Sequence, residues 1–120
     1  MILIVGGAYQ GKLDYAREKY ELTDADVFSC GEGDIDFGKK CICRIEEYVW
    51  NHPDALEYFR EHSAQWKDSI LICRDLSCGV VPLERENRLW RQNTGKLCQY
   101  LAGEAEEVYR IFCGLEQRLK

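Results

Sequence analysis

Five apolar residues, Met1-Ile2-Leu3-Ile4-Val5, run directly into Gly6-Gly7-Ala8-Tyr9-Gln10-Gly11-Lys12-Leu13, and this junction constrains the fold more than any other stretch. An uninterrupted apolar run of this length reads as a strand buried on both faces. The residues from Leu13 to Tyr20 have helical character, so the order is strand, glycine loop, helix. That is the setting in which a G-x-x-x-x-G-K-[ST] loop wraps phosphates. Backbone N–H groups and the helix N-terminus point at the anion, and a lysine adds positive charge. Gly6, Gly11 and Lys12 fit the pattern, whereas Leu13 stands where a hydroxyl residue would offer an oxygen to magnesium. The loop reads as a phosphate cradle that lacks one metal ligand.

The remaining pattern alternates strands and helices. Asp26 to Cys30 reads as a second strand, Cys41-Ile42-Cys43 as a third and Ser69 to Cys73 as a fourth, with Glu107 to Cys113 last and nearer an edge. Between them fall an acidic glycine loop over residues 31–38 and helical segments near 45–50 and 54–65. The longest helix spans 84–101. Leu89, Leu97 and Leu101 form its stripe, Gly95 implies close packing against another backbone, and Gly103 ends it. Right-handed crossovers between such units give a three-layer α/β sandwich of the P-loop NTPase type. Its mostly parallel sheet has about five strands, with helices on both faces. At 120 residues the chain is expected to form a single domain over 1–120.

Charge and cysteine content narrow the function classes. A net charge of −5 argues against nucleic acid as a main partner, since phosphate-backbone binding needs clustered Lys and Arg. No apolar run is long enough to span a membrane and no basic region precedes the first one, so a cytoplasmic location is the expectation. Seven cysteines, at 30, 41, 43, 73, 78, 98 and 113, include no C-x-x-C pair. They read first as reduced, buried small hydrophobes. A thiol or metal site built on Cys41, Cys43, Cys73 and Cys78 is the alternative.

The C-terminal third carries a more specific signal. Gly79-Val80-Val81-Pro82, Arg88-Leu89-Trp90-Arg91, Gly95-Lys96-Leu97, Gln99-Tyr100-Leu101-Ala102 and Glu107-Val108-Tyr109 follow in that order, and the chain closes with Gly114-Leu115 and Arg118-Leu119-Lys120. Together with the loop at 6–13, this resembles the bifunctional adenosylcobinamide kinase/adenosylcobinamide-phosphate guanylyltransferase family of cobalamin biosynthesis. The resemblance implies ATP or GTP at the loop, a corrinoid substrate and a homotrimer. It also implies magnesium, but the family's loop serines are Gln10 and Leu13 here, and Cys43 stands near the family's second magnesium-contacting aspartate. Asp34 and Asp36 are the nearby substitutes. The helix that carries the family's guanylyl-accepting histidine is replaced by the acidic loop, and His52 and His62 come later, as surface or capping residues. The resemblance therefore implies a divergent relative in which Lys12 and Asp75 are the candidate catalytic residues. Gly6, Gly7, Ala8, Tyr9, Gln10, Gly11, Lys12 and Leu13 are the candidate nucleotide cradle, and no metal ligand is assigned. An active cobinamide kinase and a non-enzymatic thiol or assembly protein are the competing readings.

Overall fold

A computed structural model describes residues 1–76 and 83–120. Six strands form one sheet in the order β2-β3-β4-β1-β5-β6. They are β1 (Ile2–Gly6), β2 (Val27–Ser29), β3 (Cys41–Cys43), β4 (Ile70–Arg74), β5 (Glu107–Phe112) and β6 (Leu115–Arg118). All pairings are parallel except that of β5 with β6. The helices are α1 (Lys12–Tyr20), α2 (Ile45–Asn51), α3 (Ala55–Glu61), α4 (Ser63–Trp66) and α5 (Arg85–Glu104). The α/β class, the parallel sheet and the alternation of strands and helices agree with the pattern read from the sequence.

Period-two alternation sends the strand side chains to two separate cores. On one face Ile4, Cys41, Cys43, Ile72 and Ile111 pack against Ala16 of α1. On the other, Leu3, Ile42, Leu71, Cys73 and Val108 pack against α2 to α5 through Ile45, Val49, Phe59, Trp66, Leu97 and Leu101. Helices thus cover both faces. The buried Trp66 indole keeps a partner, donating from Nε1 to the Phe59 carbonyl at 2.8 Å.

Five expectations change. The sheet gains β6, and its two-residue connection, Cys113 (φ 51°) and Gly114 (φ 74°), has the doubly positive φ of a tight antiparallel hairpin. That hairpin makes β5 an inner strand. In α5 the buried positions are Thr94, Leu97 and Leu101, whereas Leu89 is 45% exposed. Gly95 does not touch a neighbouring backbone: a Cβ there would meet nothing within 4 Å. Gly103 lies within the last turn of α5, which continues to Glu104 and is capped by Ala105. The helical stretch expected over 54–65 divides at His62 into α3 and α4. Within the acidic glycine loop, Ile35 and Phe37 are buried and anchor it to the α2–α3 side.

Candidate functional site

The chain leaves β1 in one direction along the sheet, toward β2, and leaves β4 in the other, toward β5. This reversal opens a crevice outside the carboxyl ends of β1 and β4, where open α/β sheets bind ligands. The glycine loop closes one side of it. A cleft of about 610 Å³ lies here, lined by Tyr9, Gly11, Lys12, Leu13, Cys43 and Glu46 among others.

The loop's course is set by backbone requirements. A Cβ on Gly6 would lie 2.6 Å from the Ile111 carbonyl oxygen, so only glycine lets β1 pass β5 this closely. Gly11, the N-cap of α1, has φ 85°, a left-handed conformation that glycine adopts without steric cost. Tyr9 (φ 60°), Arg44 (φ 57°) and Cys113 (φ 51°) adopt the same region without being glycine. Each costs on the order of 1 kcal/mol; Tyr9 and Arg44 line the cleft, and Cys113 braces the loop from behind.

Hydrogen bonds then fasten the loop to its surroundings. Gln10 Oε1 accepts from the Cys113 N–H at 2.6 Å, and the Gln10 carbonyl accepts from the Gly114 N–H at 3.0 Å. The Asp75 N–H donates to the Gly6 carbonyl at 2.7 Å, joining the loop to the end of β4. Lys12 Nζ donates to the Gly7 carbonyl at 2.7 Å and so lies across the inside of the loop. Burial pushes the Lys12 ammonium below its ordinary pKa, and the charge of Glu46 works against that shift.

The structure separates the sequence-derived candidates into groups. Tyr9, Gly11, Lys12 and Leu13 line the cleft, whereas Gly6, Gly7, Ala8 and Gln10 form the frame behind it. Leu13 packs against the α1-side core and presents no oxygen. Cys43 also lines the cleft; burial raises its thiol pKa, with the Ser29 hydroxyl bond working the other way, so it stands there as a neutral thiol. Asp34 and Asp36 do not line the cleft, and Asp36 caps the Gly38 N–H at 2.9 Å. Asp75 touches the loop through its backbone but lines a second cavity of about 330 Å³ under α5, with Thr94, Gly95 and Cys98. The Thr94 hydroxyl there is buried without a hydrogen-bond partner among the described residues.

Both histidines sit in an aromatic cluster away from the cleft. His52 stacks on Tyr48 with ring centres 4.0 Å apart, and His62 stacks on Phe37 at 5.4 Å. Each ring also bonds a backbone carbonyl of its own helix, Tyr48 at 3.1 Å and Tyr58 at 2.7 Å. The proposed thiol set is divided by the sheet, with Cys41 and Cys43 facing α1 and Cys73 facing α5. Cys78 and the stretch Gly79-Val80-Val81-Pro82 fall outside the described residues. Among the described residues, no group of three or more His, Cys, Asp or Glu could hold a metal ion. No helix among them is long and apolar enough to cross a membrane.

One residue of the cleft had no role in the sequence reading. Glu46, in the first turn of α2, is only 7% exposed. Its Oε1 accepts from the Arg74 N–H at 2.9 Å, and its main-chain carbonyl accepts from Trp90 Nε1 at 2.7 Å. The pair Glu46-Glu47 looks like ordinary acidic enrichment of a first helical turn. Only its distance past the end of the central strand Cys41–Cys43 singles out the first of the two.

A parallel sheet, a glycine loop after its first strand and a lysine at the head of the following helix define a P-loop-like α/β protein. The sequence profile of the cobinamide kinase / cobinamide phosphate guanyltransferase family matches residues 39–119. The chain belongs to that family, and so to cobalamin biosynthesis. The match begins after the loop, so the loop's identity rests on its geometry and its own residues. No curated protein matches the chain.

Proposed function

We propose that this chain binds ATP or GTP by its phosphates, at the loop amides of residues 7–12 and at Lys12, and that it does not transfer guanylyl groups. The loop frame carries this reading: Gly6 has no room for a side chain, Gly11 is left-handed, and Lys12 spans the loop at 2.7 Å from the Gly7 carbonyl. An incoming phosphate would offer Lys12 a stronger, charge-assisted partner than that carbonyl. The absence of guanylyl transfer follows from the histidines, both of which are engaged in the aromatic cluster. A corrinoid is the expected second ligand and a homotrimer the expected assembly, both by family resemblance.

Calorimetric titration with ATP and with GTP, in magnesium and in EDTA, tests the reading. Binding is expected, with Lys12→Ala weakening it about tenfold or more, as loss of a charged hydrogen bond predicts. No binding at millimolar nucleotide would sink the proposal.

A second reading, an active kinase that phosphorylates the hydroxyl of a cobinamide, is favoured by Glu46. Phosphoryl transfer depends on positioning and on charge neutralisation by a metal ion. Magnesium takes hard oxygen donors, and one or two carboxylates together with nucleotide phosphates suffice. Leu13 offers no such donor and Cys43 offers a neutral thiol, whereas Glu46 offers a carboxylate in the same cleft as Lys12. In this reading Lys12 neutralises phosphate charge, and Asp75 is the acid on the α5 side of the crevice.

A further inference from the structure

We infer that Glu46 is the protein carboxylate that holds a divalent cation on the phosphates of a bound nucleotide, in place of the two contacts this chain lacks. The inference rests on nucleotide binding at the loop, as proposed above.

A carboxylate that is only 7% exposed is rare unless it is paired. Glu46 has one hydrogen bond to its side chain, from the Arg74 N–H to Oε1, and Oε2 has none among the described residues. The charge of Glu46 acts on the Lys12 ammonium, which donates to the Gly7 carbonyl. The carboxyl group faces the cleft that the loop encloses. Oε1, tied to the end of β4, holds the carboxyl group at the carboxyl edge of the sheet. Oε2 is the oxygen left for a ligand.

Among the other side-chain carboxylate and hydroxyl donors on the cleft, Asp14, Asp24 and Ser29 are exposed. Leu13 is apolar, and the Cys43 thiol is kept neutral by burial, which suits it poorly to a hard cation. Asp24 is also paired with Arg17 at 2.6 Å near the mouth of the cleft. Glu46 alone among the lining acids is buried, anchored and set opposite the loop lysine. A cation there would sit between Lys12 and Glu46, with the nucleotide's own phosphates supplying further oxygens.

The experiment is calorimetric titration of ATP and GTP into the full chain and into Glu46→Gln, each in magnesium and in EDTA. Glutamine keeps an oxygen for the Arg74 N–H, and the unfolding midpoint of each protein is recorded alongside. The wild type should bind roughly tenfold more tightly in magnesium. Glu46→Gln should lose that gain, binding about equally in magnesium and in EDTA. A gain that survives in Glu46→Gln overturns the assignment and leaves the nucleotide reading intact. Absence of binding by the wild type in both conditions overturns both. A second measurement needs no variant: Fe²⁺ is substituted for magnesium on the nucleotide, and ascorbate and peroxide cut the backbone near the metal. Cuts at residues 45–47 support the assignment, and cuts confined to residues away from α2 overturn it.

Discussion

The two walls of the cleft are built on different principles. The loop wall, residues 6–13, is specified by main chain: a glycine that cannot accept a Cβ, a left-handed N-cap and carbonyls tied to Lys12, Asp75 and Gly114. The facing wall, from Cys43 to Glu46, is specified by side chains: a neutral thiol and a buried carboxylate. An anion held by backbone amides is indifferent to most side-chain changes, whereas a cation held by one or two side chains is lost or moved by a single substitution. The family profile matches the side-chain wall and not the loop, so the loop is recognised by its own geometry.

The largest expected effect tests the main-chain wall. Gly6→Ala would bring a methyl group against the Ile111 carbonyl, and forcing β1 from β5 should cost about 1–3 kcal/mol. Urea denaturation should show a lower midpoint, and nucleotide affinity should fall with it. Unchanged stability and affinity in the Gly6→Ala variant would mean that the loop wall tolerates side chains after all.

Two thiols test the cores behind the walls. Burial pushes Cys30 and Cys41 up to about 12, so both stay protonated in the fold at a pH where the unfolded chain has begun to ionise. Above the unfolded value near 9 the unfolded state binds fewer protons, and stability falls as pH rises toward the folded value. The loss should be on the order of 1 kcal/mol per thiol at pH 10, read from denaturation curves at pH 8 and pH 10. A flat profile would show these thiols to be solvated and the cores around them open.

The smallest effect serves as the control for Gly6. Gly95 is also a glycine in a well-packed region, but its missing Cβ faces open space in the cavity under α5. Gly95→Ala should therefore stabilise α5 by up to about 1 kcal/mol, seen as a higher thermal midpoint. Destabilisation instead would show that this cavity closes on α5 in solution.

These two glycines also mark how far the sequence could be read. The class of fold was legible because its inner strands are continuous apolar runs, Ile2 to Val5 and Ile70 to Cys73, which few other folds accommodate. β6 was not, because Leu115 to Arg118 are all exposed and carry no alternation. The loop was legible because glycine spacing reports backbone conformation directly. The facing wall was not: Cys43 could be located only by comparison with a family pattern, and Glu46 differs from Glu47 only in what it meets across the sheet. Thr94 was passed over in favour of Leu89 because hydropathy outranked phase, although 94, 97 and 101 fall on one helical face.

The fastening of Gln10 by Cys113 and Gly114 has a consequence for how the protein comes to be. The Cys113 contact joins positions 103 residues apart and the Gly114 contact spans one residue more, so no local event can set either. Contacts of such separation form late and slowly. On the ribosome, residues 6–13 would emerge early and wait, without their brace, until the hairpin at 113–114 has been made. A nascent chain could thus be helical along α1 long before it could hold a phosphate, and competence to bind would arrive together with the closing of the sheet.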